Sequence, residues 1–438
     1  MITGTSIGTM AAVVAAMLAA GTAGAATEPR LQIGSVSTAG AAADGFSDDE
    51  AISADGAYVA FTSMATNLVP GDTNGARDLF VRDMKRGLTR RENVDTAGEQ
   101  STGSTVSQPG LSKDGRWLVF TSDAPNLVPG DTNGSLDVFA RDLRHGITTR
   151  ASLSSTGGQV AGGALDGGIS ADGRYVVFSS SSADVVPGDT NATVDVFVRD
   201  LKQGTTRRVS VATGGVQGNS ASMGGVISGN GRYVAFTSYA GSLVPDDTNG
   251  TTDVFRRDLK TAETIRVSVG PGGRQSVGGQ RPGIGSTTPS ISADGRRVAF
   301  ASFAGGLVDG SHGICDVYVR DINAGTTTQA SPGIGDGTAN GLVTAPHISP
   351  DGRYVGYLGS ASNLVTGDTN ERTDGFVRDL TKGITRRVTV GDAGQEGNDL
   401  SGYPVLDDDA DHAAFTSQAT NLLPGDTNGQ QDVFVANL

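Results

Sequence analysis

Residues 169–178 read Ile-Ser-Ala-Asp-Gly-Arg-Tyr-Val-Val-Phe, and variants of this stretch recur along the chain. The other copies begin at Ile52, Leu111, Ile227, Ile291, Ile348 and Leu406. The positions equivalent to Asp55 follow one another at steps of 59, 58, 58, 64, 57 and 58 residues. A period this regular predicts a repeat architecture, so the 438 residues need not be divided into several domains.

Each copy carries the signals of four short strands. In the third copy, the strand that ends in Ile169-Ser170 reaches an Asp-Gly turn, and the apolar run at 175–178 forms a second strand. Residues 195–200 and 206–211 are also short and rich in β-branched side chains. One such sheet cannot bury both faces alone, so neighbouring copies must pack together. We therefore predict an all-β fold, a seven-bladed β-propeller of four-stranded blades.

The two ends of the chain predict how the ring closes. The last copy stops at Asp432-Val433-Phe434-Val435, which corresponds to its third strand. Residues 36–40, Val-Ser-Thr-Ala-Gly, match the ends of fourth strands at 94–98 and 211–215. We expect the N-terminal strand to complete blade 7 and so remove its exposed edge.

The openings of the Ile-Ser-Ala-Asp-Gly-Arg-Tyr-Val type, combined with Asp-Val-Phe-Val-Arg-Asp-Leu, resemble the PD40 (WD40-like) repeats of TolB-like propellers. The resemblance covers all seven copies. It departs from TolB in two respects: the α/β domain that precedes the TolB propeller is absent, and the loop between the second and third strands is longer. The resemblance implies a free-standing TolB-like propeller, and fold likeness alone transfers no role.

The N-terminal 25 residues have the pattern of a signal peptide. They carry no charged side chain, include the apolar run 10–20 and end in Ala23-Gly24-Ala25. We expect a signal peptide at 1–25, the propeller at 26–438, and a secreted or periplasmic location. No other stretch resembles a transmembrane helix, and we expect a monomer without a membrane span.

Net charge narrows the class of partner, and cysteine content excludes an internal disulfide. The formal net charge of −14 argues against nucleic acid and anionic lipid surfaces. Cys315 is the only cysteine, so no intramolecular disulfide can form.

The loop between the second and third strands is the most distinctive part of the repeat. In the first copy, residues 67–78 read Asn-Leu-Val-Pro-Gly-Asp-Thr-Asn-Gly-Ala-Arg-Asp. Six copies keep Asp-Thr-Asn followed four residues later by Asp, and in propellers this loop lies on the face of the blade-to-blade connections. The candidate metal ligands are Asp72, Asn74, Asp78, Asp131, Asn133, Asp137, Asp189, Asn191, Asp195, Asp247, Asn249, Asp253, Asp368, Asn370, Asp374, Asp426, Asn428 and Asp432.

Two interpretations of these loops stay open. Calcium takes six to eight oxygen ligands, and each loop offers three oxygen-bearing side chains besides backbone carbonyls and water. The same residues suit nested turns, because Asp and Asn cap backbone amides. An EF-hand from Asp72 to Asp83 is excluded if 78–83 is a strand, which would carry the last carboxylate roughly 16 Å away. Calcium is the only cofactor that the sequence suggests.

The remaining candidates are isolated side chains. Copy five breaks the loop pattern, and its His312 and Cys315 are too few for a soft-metal site. His347 precedes Ile348 on an innermost strand and could line the central channel. Glutamines recur in the blade-to-blade connections, where they could bind a glycan or peptide or satisfy backbone groups. They are Gln100, Gln159, Gln217, Gln275 and Gln395.

Three classes of function fit these features. A binding module that recognises an extracellular or envelope protein or glycan is favoured, because repeated surfaces suit repeated contacts. A polysaccharide- or peptide-acting enzyme is the alternative, although catalysis needs one asymmetric constellation and the sequence indicates no catalytic residue. A calcium-stabilised scaffold is the third.

Overall fold

The computed structural model describes residues 30–106, 109–278, 282–311 and 314–438. The expected signal peptide at 1–25 lies outside these ranges. None of the helices in the described ranges has the length and apolar character needed to cross a membrane.

The described residues form seven four-stranded antiparallel sheets, one for each repeat, which confirms the predicted propeller. The first strand, β1 (Leu31–Ile33), belongs to blade 7. Blades 1 to 3 contain β2 (Ser47–Ile52), β3 (Tyr58–Ser63), β4 (Asp78–Asp83) and β5 (Leu88–Arg91); β6 (Gly110–Leu111), β7 (Trp117–Ser122), β8 (Asp137–Asp142) and β9 (Ile147–Arg150); and β10 (Ala164–Ile169), β11 (Tyr175–Ser180), β12 (Asp195–Asp200) and β13 (Thr205–Arg208). Blades 4 and 5 contain β14 (Ser222–Ile227), β15 (Tyr233–Ser238), β16 (Asp253–Asp258) and β17 (Glu263–Arg266); and β18 (Ser286–Ile291), β19 (Arg297–Ser302), β20 (Asp316–Asp321) and β21 (Thr326–Gln329). Blades 6 and 7 contain β22 (Val343–Ile348), β23 (Tyr354–Gly359), β24 (Asp374–Asp379) and β25 (Ile384–Arg387); and β26 (Val405–Leu406), β27 (His412–Ser417) and β28 (Asp432–Asn437).

The ring closes through β1, as the sequence predicts. This strand pairs antiparallel with β28, where Leu31 lies opposite Ala436 and Ile33 opposite Phe434. The quoted residues 36–40 form the turn that follows the strand, and Val36 bridges to Ala42. The fourth strand of blade 7 therefore comes from the opposite end of the chain.

The hydrophobic core lies between successive blades. In blade 3, Phe178 and Phe197 stack with ring centroids 5.6 Å apart, and each other blade repeats this aromatic pair. Val177 and Val196 pack against the next blade, in one buried cluster with Phe236. The alternating apolar residues of the two middle strands thus bury both faces of each sheet.

The Asp-Gly turns fit closely against the preceding blade. Gly173 has φ +71°, and a Cβ placed there would lie 2.0 Å from Cδ1 of Trp117. His412 takes the position of this aromatic residue in blade 7 and packs in the same way against Gly56. The glycine is needed for both its backbone conformation and its lack of a side chain.

A second contact between blades uses the Arg-Asp pair that ends the third strand. In blade 3, Nη1 of Arg199 donates to Oγ1 of Thr206 at 3.1 Å and to the carbonyl of Ser154 at 3.2 Å. Thr206 in turn donates to the carbonyl of Leu153 in the preceding connection at 2.6 Å. The neighbouring Asp200 instead pairs with Arg174 and accepts bonds from the amides of its turn.

Candidate functional site

The Asp-Asn-Asp loops lie on the face of the blade-to-blade connections, called the loop-bearing face here, where each second strand ends and each third strand begins. In blade 6, Nδ2 of Asn370 donates to Oδ2 of Asp374 at 3.0 Å and to the carbonyl of Gly397 at 3.1 Å. Its Oδ1 accepts from the amide of Arg372. The asparagine thus holds the loop against the connection to the next blade.

In five blades, a guanidinium group lies between the two aspartates of the loop. In blade 6, Nη1 of Arg387 is 3.3 Å from Oδ1 of Asp368 and 3.2 Å from Oδ2 of Asp374. These side chains are almost fully buried, with the aspartates 5% and 0% exposed and the arginine 8% exposed. The equivalent arginines are Arg91, Arg150, Arg208 and Arg266, each at the end of a fourth strand.

Blades 5 and 7 depart from this pattern in different ways. In blade 5, Gln329 lies opposite Tyr318 at the register of the arginine, and the loop has no aspartate at the position of Asp72. In blade 7, Ile33 takes the register of the arginine while Asp426 and Asp432 are both present.

The chemical state of the loop carboxylates follows from their burial. Burial and the adjacent Asp78 raise the pKa of Asp72 to about 6, although Arg91 opposes the shift. Burial and Asp432 raise the pKa of Asp426 to about 6, without an opposing arginine. These groups are ionised at neutral pH. Burial destabilises the ionised form, and an adjacent cation reduces that destabilisation.

The recurrent glutamines close the same loops. Oε1 of Gln159 accepts bonds from the amide and the hydroxyl of Thr132 at 3.3 and 3.1 Å. In blade 6 this position is Glu396, whose Oε1 accepts from the amide of Thr369, whereas Gln395 bonds to the carbonyl of Asn421. Gln395 therefore lies in this connection, one residue before the position that closes the loop. Blade 7 has Ala42 at the equivalent position.

The EF-hand alternative fails, because 78–83 forms β4. Within the ranges that the structure describes, no group of three or more His, Cys, Asp or Glu side chains converges to hold a metal. His312 lies outside those ranges, and Cys315 is buried.

The central channel is lined by the innermost strands and encloses a cavity of about 330 Å³. His347 lies on its wall as predicted, and its Nδ1 accepts the amide of Leu406 in the next blade at 3.2 Å. Burial lowers the pKa of His347 to about 4, so the imidazole is neutral at neutral pH. Its bond to Leu406 joins blades 6 and 7.

Comparison with known proteins places the fold. No family model matches the chain, and no curated protein sequence does. The chain is similar to an oligogalacturonate lyase solved in complex with manganese, at 14% identity over 93% of this chain and 96% of that chain, with a TM-score of 0.54. It is also similar to the β-propeller domain of the Trilobed protease from Pyrococcus furiosus, at 9% identity over 90% and 95% of the two chains, with a TM-score of 0.52.

A putative TolB from Agrobacterium tumefaciens matches at 15% identity over 65% of this chain and 80% of that chain, with a TM-score of 0.39. The two structures with TM-scores above 0.5 show the propeller fold that this chain shares with them. Identities this low show the shared fold and leave activity to be argued from the site itself.

The arginines of the fourth strands were missed by the sequence reading. The available signal was a correlation between copies: the five copies that end the fourth strand in arginine also keep both loop aspartates. Arg208 lies opposite Phe197 in the sheet, two residues beyond Asp195. Strand register therefore brings the guanidinium to the loop.

Proposed function

We propose that this chain is an exported, non-catalytic binding module that recognises an extracellular or envelope protein through its loop-bearing face. The fold supports a repeated display surface, and the distribution of exposed apolar side chains supports the choice of face.

Exposed large apolar side chains are concentrated on the loop-bearing face. Thirteen are exposed among the described residues, and two of them, Ile147 and Ile384, begin fourth strands on the opposite face, which leaves eleven. We call those eleven the apolar rim: Phe46, Met64, Val106, Leu165, Val216, Met223, Tyr239, Val277, Ile334, Leu342 and Leu400. Apolar surface that clusters on one side of a protein is typical of an interaction site.

The composition of the rim favours a protein over a glycan. Phe46 and Tyr239 are its only aromatic members, and the others are aliphatic or methionine. Aliphatic and methionine side chains pack against apolar side chains of a partner. Phe46 and Met64 lie side by side, because the amide of Met64 donates to the carbonyl of Phe46 at 3.0 Å.

Selection of peptides from a displayed random library against the immobilised full chain tests this proposal. We expect enriched peptides with apolar anchors, whose affinity falls at least tenfold in Leu165→Ser and Tyr239→Ser. Ile147→Ser is the matched control, since Ile147 lies on the opposite face and is 45% exposed, against 45% for Leu165 and 46% for Tyr239. Failure to enrich any peptide, or equal loss in the control, would contradict the proposal.

A glycan array run with the same variants tests the glycan alternative. The enzyme alternative predicts that the protein releases products from polygalacturonate or peptide substrates. The same preparation can be assayed for these products.

A further inference from the structure

Blade 7 contains a pair of loop aspartates for which the described residues provide no cationic side chain. Asp426 is 6% exposed, and its Oδ1 is buried without a hydrogen-bond partner in the described structure. Its neighbour Asp432 is fully buried and accepts bonds from Ser35 at 2.6 Å and Asn428 at 2.7 Å. Leaving a buried carboxylate unpaired is strongly destabilising in general, so the missing partner of Asp426 needs an explanation.

The other blades show what this pair accepts. In five of them, one guanidinium lies within 2.9–3.6 Å of both carboxylates. Blade 5 has lost the arginine together with the loop aspartate, whereas blade 7 keeps both aspartates and has Ile33 in place of the arginine. Ala42 also replaces the glutamine that closes the loop elsewhere.

We propose that Asp426 and Asp432 of blade 7 form a single divalent-cation site that takes the place of the missing arginine and fastens the closing strand β1. The donors are all oxygens, which suits a hard cation such as calcium rather than zinc. Two carboxylates supplemented by water and backbone oxygens predict a dissociation constant on the order of 10⁻⁴–10⁻³ M, as in extracellular calcium modules.

The site lies where the ring closes. Asp432 begins β28, and Ser35, which bonds to it, lies two residues after the end of β1. A cation bound there stabilises the folded chain by RT ln(1 + c/Kd), where c is the free cation concentration, because the unfolded chain does not bring residues 35 and 432 together. This inference concerns one loop and is independent of the proposed binding of a partner by the apolar rim.

Thermal unfolding of the full chain after exhaustive chelation, titrated with calcium and with magnesium and zinc as comparisons, tests the site. We expect the unfolding midpoint to rise with calcium up to millimolar concentrations, and equilibrium dialysis to find one calcium ion per chain. Absence of both effects would overturn the proposal.

Three variants locate the site. Asp426→Asn should remove the calcium response, and Ile33→Arg should remove it by supplying the guanidinium found in five other blades. Asp368→Asn is the matched control in blade 6, where Arg387 already fills the loop, and it should keep the response. A response that persists in both blade 7 variants, or one that is lost in Asp368→Asn, would overturn the assignment. Ile33→Arg keeps the test decisive if Asp426→Asn folds poorly.

Discussion

At the scale of single residues, this propeller buries many carboxylates, and most of them depend on a specific neighbour. Asp374 is fully buried between Asn370, Thr389 and Arg387. Such a group is tolerated when it is hydrogen-bonded or paired, which in blade 7 holds for Asp432 but not for Oδ1 of Asp426. Substituting such a partner residue should therefore lower the stability of the fold more than substituting an exposed charged residue does.

Removing an arginine from a filled loop should create the situation of blade 7. We expect Arg208→Met to lower the free energy of unfolding by about 3 kcal/mol, because Asp189 and Asp195 lose their buried partner. Calcium should restore part of this loss. Chemical denaturation with and without calcium measures both effects.

Arg207, exposed on the same strand, supplies the control. Arg207→Met should change stability by less than about 0.5 kcal/mol. A calcium response no larger in Arg208→Met than in this control would show that the loop accepts only a guanidinium.

Glu50 should make stability depend on pH. It is 3% exposed on the innermost strand of blade 1, and burial, with a smaller contribution from Asp49, raises its pKa from 4.5 to about 8. Asp49 itself is paired with Arg77. A raised pKa means that the folded state keeps a proton that the unfolded state releases. The stabilisation is therefore fully present below pH 4.5 and is lost as the pH rises through about 8.

The slope of this loss should approach about 1.4 kcal/mol per pH unit, the limit for one proton. Glu50→Gln should abolish it, and Glu263→Gln, on the exposed edge of blade 4, should not. Denaturation curves across this pH range measure the slope, and parallel profiles for the wild type and Glu50→Gln would exclude the effect.

At the scale of elements, the Asp-Gly turn determines how closely two blades approach. Gly173 and Gly188 have nearly the same φ, +71° and +75°. A side chain at Gly173 would meet Trp117, whereas nothing lies within 4 Å of the Cβ position at Gly188. The pair separates the cost of backbone strain from the cost of packing.

We expect Gly188→Ala to cost about 1–2 kcal/mol, from positive φ alone. Gly173→Ala should cost at least about 2 kcal/mol more, because the aromatic ring of the preceding blade must move. Unfolding midpoints of the two variants measure the difference. Equal losses of stability would mean that the preceding blade accommodates the added methyl group without further destabilisation.

The elements were predictable from sequence because turn and strand signals recur seven times in the same order. The closing strand was predicted from the matches at 36–40, although β1 itself lies at Leu31–Ile33. The arginine between the carboxylates was not predicted, since it lies 19 residues from the loop aspartate, as in Asp189 and Arg208. From sequence alone, six equivalent loops were candidate calcium sites. In the structure, blade 7 differs from the other five because it keeps both aspartates and has Ile33 in place of the arginine.

At the scale of the whole molecule, the seven blades are similar but the joint between blades 6 and 7 is not. Leu31 and Ala436 stand where blade 1 places Thr89 and Arg82, both of which donate to the carbonyl of Val36 in the preceding connection. Blade 7 also depends on β1, from the other end of the chain, for its fourth strand. Opening of the ring should begin there.

Deleting residues up to 34 should expose the edge of β28. We expect a lower unfolding midpoint and self-association, because an unpaired strand edge recruits other chains. Light scattering coupled to size exclusion measures the association, and a synthetic peptide of residues 30–36 should reverse it. A deleted chain that stays monomeric and equally stable would show that β1 contributes little.

The antiparallel pairing of β1 with β28 also sets the mechanical response of the molecule. The carbonyl of Arg30 accepts the amide of Asn437 at 2.8 Å, so residues 30 and 438 lie at the same end of the strand pair. Tension applied between these residues would load the hydrogen bonds one after another, as in a zipper, rather than all at once in shear. The ring should therefore yield at low force through its closing strand, while the remaining six blades stay intact.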